Sequence, residues 1–146
     1  MDGIGARLKR VEDAPLLRGE GRFLADLNRP GQLHMRVVRS AMAHGVLRGA
    51  DAAAALALPG VHAVWTGPDV ASIPPINFRM MGLTHLDPYR QPILAQDRVR
   101  YVGEPVAVVF AEDPYVAEDA EELVAADIEP LPPILSALEE PRDFDA

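Results

Sequence analysis

The residues of this chain that could carry chemistry are four histidines, a group of carboxylates and a few serines. His34, His44, His62 and His85 have none of the spacings of metal ligands, such as two histidines one helical turn apart. The serines lack the glycine-rich setting of a nucleophile elbow, and no set of serine, histidine and acid can be argued from the sequence. The sequence therefore assigns no catalytic, cofactor-binding or metal-binding residue, and we expect the isolated chain to be inactive.

A short motif, Gly103, Glu104 and Pro105, precedes the most apolar run of the chain. Glycine supplies backbone freedom before a strand, and proline is tolerated in a sheet at the first residues of a strand. Glu104 is then the acidic residue at the mouth of that strand, where a hydrogen-bonding role is favoured over catalysis. We interpret these three residues as a structural motif.

The elements that must position this motif are a strand, a helix and a second strand. Residues 106–111 are apolar on both alternating faces, which is typical of a central strand covered on both sides. Asp113 can cap a helix that begins at Pro114, because proline at the first helical position needs no hydrogen bond. The helix has an apolar stripe and an acidic face, formed respectively by Val116, Ala117, Ala120, Leu123, Val124 and by Glu118, Asp119, Glu121, Glu122. A short strand at residues 125–129 completes the unit.

The preceding part of the chain predicts strands separated by turns and one short helix. The expected strands are a short one beginning at Phe23 and longer ones at residues 32–39, 46–50 and 61–66. Asp51 can cap an alanine-rich helix that runs to Leu58.

A long loop at residues 68–97 interrupts this pattern and carries Phe78, Met80, Met81 and Leu83. It is too apolar for an idle surface loop. Two interpretations remain open. Its apolar side chains fold back onto the core, or they form a contact surface or the wall of a channel.

The composition limits the class of protein. The chain has 146 residues, a net charge of −8 and no cysteine, which suits one domain and excludes disulfides and cysteine-bound iron–sulfur clusters. The acidic charge argues against nucleic acid or an anionic membrane as a partner. No run approaches the ~20 apolar residues of a membrane span, and the N-terminus lacks a signal-peptide core, so we expect a cytoplasmic location.

We divide the chain into three parts. Residues 1–21 lack sustained periodicity and are expected to form an extended N-terminal arm. Residues 22–140 are expected to form a single domain that contains the long loop, and residues 141–146 a C-terminal tail.

Five segments in order resemble a known family: IGARLKRVEDAPLLRGEGRFLADL, LHMRVVRSAMAHGVLRGAD, LPGVHAVWTGPDV, RYVGEPVAVVFAED and VAEDAEELVAADIEPLPPI. They are similar to the α/β hammerhead domain in the large, molybdenum-binding chain of aldehyde oxidases, xanthine dehydrogenases and carbon monoxide dehydrogenases. The resemblance covers the chain apart from the long loop. It implies an α+β fold with an open mixed sheet and flanking helices.

The resemblance also implies an enzymatic context. Such enzymes hydroxylate an aldehyde, a heterocycle or a similar small substrate, and electrons pass from a molybdopterin centre through iron–sulfur clusters to FAD. No position here matches the family's cofactor-binding loops or active-site glutamate, so the cofactors are expected on the rest of the complex. The chain is expected to be a structural, partner-contacting subunit or fragment. Its implied partners are the catalytic molybdopterin-binding portion of the large subunit and the iron–sulfur subunit.

The same resemblance implies that the long loop borders the substrate entrance, with Phe78, Met80, Met81 and Leu83 lining an access channel. A second class of function remains open, namely a free-standing interaction or assembly module that kept the fold without the enzyme. A subunit of an enzyme should expose an apolar patch and self-associate when isolated, whereas a free-standing interaction module should be a monomer.

Overall fold

The computed structural model describes residues 3, 5, 7, 9–77 and 83–139 of the chain. The chain divides into two compact units, Met1–Gln32 and Leu33–Ala146. None of the described helices has the length and apolar content that a membrane crossing requires. The predicted bounds of the arm, the domain and the tail stay predictions, and the tail lies outside the described residues.

The first unit contains a short helix, α1 (Asp13–Leu17), and a 3₁₀ turn at Leu24–Asp26. The interval that we expected to be extended therefore includes helical structure. The prediction of a strand that begins at Phe23 is wrong, because Leu24–Asp26 forms the 3₁₀ turn. The Asp26 carboxylate accepts a hydrogen bond from the Phe23 N–H at 2.9 Å, and the Asp26 N–H donates to the Phe23 carbonyl at 3.0 Å. These local bonds satisfy the backbone groups that a strand would have used.

The described residues of the second unit form six strands, three α-helices and a 3₁₀ helix. The strands are β1 (His34–Arg39), β2 (Gly45–Asp51), β3 (Val61–Thr66), β4 (Arg98–Val99), β5 (Pro105–Ala111) and β6 (Ala125–Pro130). The helices are α2 (Ala53–Leu56), α3 (Gly67–Val70) and α4 (Pro114–Glu122), and the 3₁₀ helix is Thr84–Tyr89. The strands form two antiparallel sheets, in the order β1-β5-β3 and β4-β2-β6.

The sheet topology confirms that β5 is a central strand, and the strands with their flanking helices give the predicted α+β class. β5 pairs with β1 on one edge and with β3 on the other. Because both edges of β5 are occupied, β6 cannot join it after α4 and pairs instead with β2. The open sheet that the sequence predicts is thus divided into two smaller ones.

Helix α4 begins as its sequence predicts. The Asp113 carboxylate accepts hydrogen bonds from the N–H groups of Tyr115 at 2.8 Å and Val116 at 3.4 Å. Ala117 and Ala120 are fully buried, so the small residues of the stripe allow the helix to approach the sheet closely.

Three apolar clusters form the core in the part of the chain that the structure describes, and alternate residues of β5 contribute to them. Ala107 and Val109 pack with α2 and α4 on one face of the β1-β5-β3 sheet. Val106 joins a cluster with the second sheet, and Val108 packs with α3 and Leu94. β5 is apolar on both faces because each face meets a different layer.

Candidate functional site

The turn between β4 and β5 contains the predicted motif, and its backbone requires glycine. Gly103 has φ +90°, a conformation that side chains disfavour, and no atom lies within 4 Å of the position a Cβ would take. The Gly103 N–H donates to the Ser40 carbonyl at 2.8 Å. The Arg39 guanidinium donates to the Gly103 carbonyl at 2.8 Å. The turn is therefore fastened to the end of β1.

The Glu104 side chain is 1% exposed, and its carboxylate is used inside the turn. It accepts hydrogen bonds from the backbone N–H of Arg100 and from the Arg100 guanidinium, the latter at 3.3 Å. The Glu104 carbonyl accepts from the Ser40 N–H at 2.9 Å, and its N–H donates to the Tyr101 carbonyl at 3.2 Å. The hydrogen-bonding role predicted for Glu104 is what the geometry supplies.

Pro105 is the first residue of β5, as the sequence predicts, and is the register partner of Arg39. The register shifts between Val38 and Arg39 beside it, which is where a residue without an N–H is tolerated in a sheet. The Pro105 carbonyl accepts a hydrogen bond from Ala95 at 2.8 Å. The motif therefore joins β1, β5 and the end of the long loop.

This arrangement indicates a structural role for Glu104 rather than a catalytic one. A catalytic carboxylate needs access to a substrate proton, whereas that of Glu104 is buried and bound to Arg100. Tyr101 and Val102, at the tip of the turn, are 43% and 64% exposed. The hydrogen-bonded turn thus presents the side chains of Tyr101 and Val102 to solvent.

One part of the long loop folds back onto the core, as the first interpretation expects, whereas the contact surface or channel wall of the second stays a prediction. Leu94 is 2% exposed and, together with Val70 of α3, packs onto the core. By contrast, Ile76 is 59% exposed, and its N–H donates to the Gln91 carbonyl at 2.7 Å in an isolated antiparallel bridge. The base of the loop is therefore folded back and paired, while part of its apolar surface faces solvent.

The loop residues predicted to line a channel are Phe78, Met80, Met81 and Leu83. Phe78, Met80 and Met81 lie outside the described residues. Leu83 is described and is exposed, immediately before the 3₁₀ helix. Their role in a channel stays a prediction.

The histidines whose hydrogen bonds are defined have protein partners. His44 Nδ1 lies 3.2 Å from the Pro132 carbonyl, and His62 Nε2 lies 2.9 Å from a Glu112 carboxylate oxygen. Within the described ranges, no three His, Cys, Asp or Glu side chains are grouped so that they could hold a metal ion.

The sequence reasoning missed two features of this region. It did not pair Glu104 with Arg100, although an arginine four residues before a glutamate could have indicated an ion pair. It also missed the capping box at Thr66 and Asp69, which a Thr followed three residues later by an acid could have indicated. The Thr66 N–H and hydroxyl donate to the Asp69 carboxylate at 2.7 and 2.9 Å. These bonds, the backbone one first, hold the pKa of Asp69 below its ordinary value of 3.8.

Comparison with known proteins identifies the family. The model of the aldehyde oxidase and xanthine dehydrogenase a/b hammerhead domain matches residues 18–132. The chain belongs to this hammerhead domain family. It is 45% identical over 132 residues to the nicotine 6-hydroxylase large subunit of Paenarthrobacter nicotinovorans, covering 90% of this chain and 16% of that protein.

Two further likenesses agree with this membership of the hammerhead family. The large chain of carbon monoxide dehydrogenase from Afipia carboxidovorans is 42% identical over 132 residues, covering 90% of this chain and 16% of that one. A crystal structure of the Cu,Mo-CO dehydrogenase matches with a TM-score of 0.75 and 37% identity, covering 90% of this chain and 16% of that chain. The hammerhead chain thus spans about 16% of the length of these relatives.

Proposed function

We propose that this hammerhead chain serves a molybdenum hydroxylase as a structural, partner-contacting part, and that it is not catalytic alone. The observation that carries the proposal is that the Glu104 side chain is buried and hydrogen-bonded within its own turn. This buried carboxylate is bound to Arg100 in the turn, so it supports the fold and has no access to a substrate. The names of the relatives support the context, since they are large chains of a hydroxylase and of a Cu,Mo-dependent dehydrogenase.

The reaction of the proposed complex is hydroxylation of an aldehyde, a heterocycle or a similar small substrate. Molybdopterin, iron–sulfur clusters and FAD would be carried by the rest of the complex. The proposed partners are the catalytic molybdopterin-binding portion of a large chain and an iron–sulfur subunit. We propose a cytoplasmic location for the assembly.

The long loop is proposed to border the substrate entrance of this complex. Its apolar and exposed residues support the idea, because Ile76 and Leu83 present apolar surface to solvent in the chain by itself. The Ile76–Gln91 bridge supports the base of the loop, which would keep such a wall in place.

The experiment is to produce the tagged chain in its own organism, purify it gently, and determine the mass of the co-purifying proteins and the molybdenum content. The expected result is a large complex that contains molybdenum and oxidises aldehydes or heterocycles with an artificial electron acceptor. The chain by itself should have no such activity. Recovery of the bare 146-residue chain without metal would contradict the proposal and favour the free-standing interaction module.

A further inference from the structure

One face of the β1-β5-β3 sheet carries an apolar patch, which we call the outer patch and define as Met35, Val37, Ala63, Trp65 and Phe110. The register makes it continuous, because Phe110 is opposite Met35 on one side and opposite Ala63 on the other. The Trp65 ring lies edge-on to the Phe110 ring, with centroids 4.8 Å apart.

The two faces of this sheet differ in how far they are covered. On the inner face, Ala107 and Val109 are fully buried under α2 and α4. On the outer face, Val70 and Leu94 cover the part around Val108. Beyond that cover, Met35 is 56% exposed and Trp65 is 47% exposed. Val37 and Phe110 are partly buried against this cluster, so the outer patch extends from the edge of the covered part to the exposed Met35 and Trp65.

The chemistry of the outer patch is that of the centre of an interface. None of its five side chains is charged, and it includes a tryptophan, a phenylalanine and a methionine, which are enriched at interface cores. A polar pair lies at the end of β5, where His62 contacts Glu112 at 2.9 Å. A surface of aromatic and methionine side chains next to a polar edge matches an apolar partner surface with a polar rim.

The charge of the domain is concentrated elsewhere. The acidic residues Glu118, Asp119 and Glu122 are exposed on α4, the helix that covers the inner face. Glu118 is paired with Arg36 at 3.1 Å. An apolar partner surface would desolvate the carboxylates of Asp119 and Glu122 without offering them a cation, so it fits the outer patch and not the α4 side.

We propose that the outer patch binds an uncharged, apolar surface of the catalytic portion of a molybdenum hydroxylase large chain. The inference rests on the proposed function. The length of the relatives supports this occupant, because a segment equivalent to this chain makes up only about 16% of each. The remaining five-sixths is the partner available to a hammerhead domain in those proteins.

The absence of cysteine from the sequence makes this surface directly testable. A Met35→Cys variant places a unique thiol in the outer patch. A Tyr115→Cys variant is the matched control, since Tyr115 is 75% exposed on α4. Each variant is purified both alone and in the molybdenum-containing complex, treated with a maleimide, and the labelled fraction of this chain is read by mass spectrometry.

In the isolated chain, both thiols should react at comparable rates. In the complex, the Met35→Cys thiol should react at least ~10-fold more slowly, as expected for a side chain at the buried centre of an interface, while the Tyr115→Cys thiol keeps its rate. Equal labelling of the Met35→Cys variant in the complex and in the isolated chain would overturn this inference and leave the proposed function standing. Failure to recover any molybdenum-containing complex would overturn both.

A second copy of the chain is the competing occupant. Trp65 is the only tryptophan, so its fluorescence reports on the outer patch. A blue shift and loss of acrylamide quenching as the concentration of the isolated chain rises would show that a second copy covers the patch when the partner is absent, as expected for an exposed apolar surface. Two copies cross-linked through their Met35→Cys thiols within the molybdenum-containing complex would mean that the patch binds another copy there, and would overturn the inference.

A charge substitution provides an independent readout. Met35→Glu should reduce recovery of the complex about tenfold or more, because it buries an unpaired carboxylate against an apolar surface. Tyr115→Glu should leave recovery unchanged. Thermal unfolding of each isolated variant separates loss of binding from loss of folding, since Met35 is exposed on an edge strand. If the Met35→Glu variant is folded and the complex is recovered in the same amount as with the wild-type chain, the proposed surface is contradicted.

Discussion

The Arg100 guanidinium lies 3.3 Å from the buried carboxylate of Glu104, and the same carboxylate accepts the backbone N–H of Arg100. One end of this pair is in solvent, because the Arg100 side chain is 48% exposed, whereas Glu104 is 1% exposed. The hydrogen bonds between Arg100 and Glu104 therefore close the turn on its buried side, directly before Pro105, the first residue of β5. This relationship explains why an acidic residue occurs at the entrance of the most apolar strand.

Glu104→Ala should lower the free energy of unfolding by about 2–3 kcal/mol, because it leaves the Arg100 N–H without its acceptor and opens a buried space. Glu104→Gln should cost about 1 kcal/mol, since the amide oxygen can still accept that bond. Urea unfolding of the isolated chain measures both changes.

The control for Glu104 is Glu122→Gln, which removes the same charge from an exposed position of α4 and should change stability by less than ~0.5 kcal/mol. If Glu104→Ala were as stable as the Glu122 control, the carboxylate would not support the turn.

Gly103→Val should destabilise the chain by more than ~1 kcal/mol, because Gly103 has φ +90° and a branched side chain is strained there. The cost comes from the backbone, since a Cβ at this position would meet nothing within 4 Å. Thermal unfolding gives the measurement. Gly49→Ala is the matched control, because Gly49 has equally open surroundings without a positive φ. Equal melting temperatures for the two variants would refute the backbone explanation.

Asp69→Asn should reduce stability at neutral pH, with an effect that depends on pH. The hydrogen bonds from Thr66 depress the folded-state pKa of Asp69 below 3.8, so the ionised carboxylate contributes stability above the unfolded-state pKa. That contribution is lost as the pH falls through the lower, folded-state value.

The melting-temperature difference between wild type and Asp69→Asn should therefore be constant from pH 8 to about pH 5 and shrink below about pH 4. Asp119→Asn, on the exposed acidic face of α4, removes a charge without removing a cap. A pH-independent difference for Asp69→Asn would mean that the carboxylate of the capping box contributes no linked stability.

Alanine at Phe78 and Met81 tests the channel hypothesis in a molybdenum hydroxylase that contains this chain. If these side chains line the substrate entrance, the Michaelis constant for a bulky substrate should change relative to that for a small one, since the wall contacts only the larger molecule. Leu56→Ala, an exposed apolar position on α2, is the control. Unchanged constants for both substrates would reject the channel role.

The sequence predicted best the features that are set by neighbouring residues. β5 and the helix after it were predicted because alternation, the Asp113 cap and Pro114 act over a few residues. Phe23 was misassigned because the Asp26 carboxylate competes for its backbone, which the apolar pattern did not reveal. Arg100 was missed because the partner of a buried carboxylate depends on how the turn folds.

By itself, the sequence determined the hammerhead family, the strands around the acidic helix, and the glycine, glutamate and proline motif, because these depend on local residue chemistry and on the order of segments. Only the tertiary structure decided that the strands form two sheets, since the edges of β5 are filled by β1 and β3, which are distant in sequence. It also decided that one face of the central sheet is covered by α4 while Met35 and Trp65 remain exposed on the other. Burial is a property of the packed layers, and a pattern that is apolar on both faces does not specify which face stays exposed.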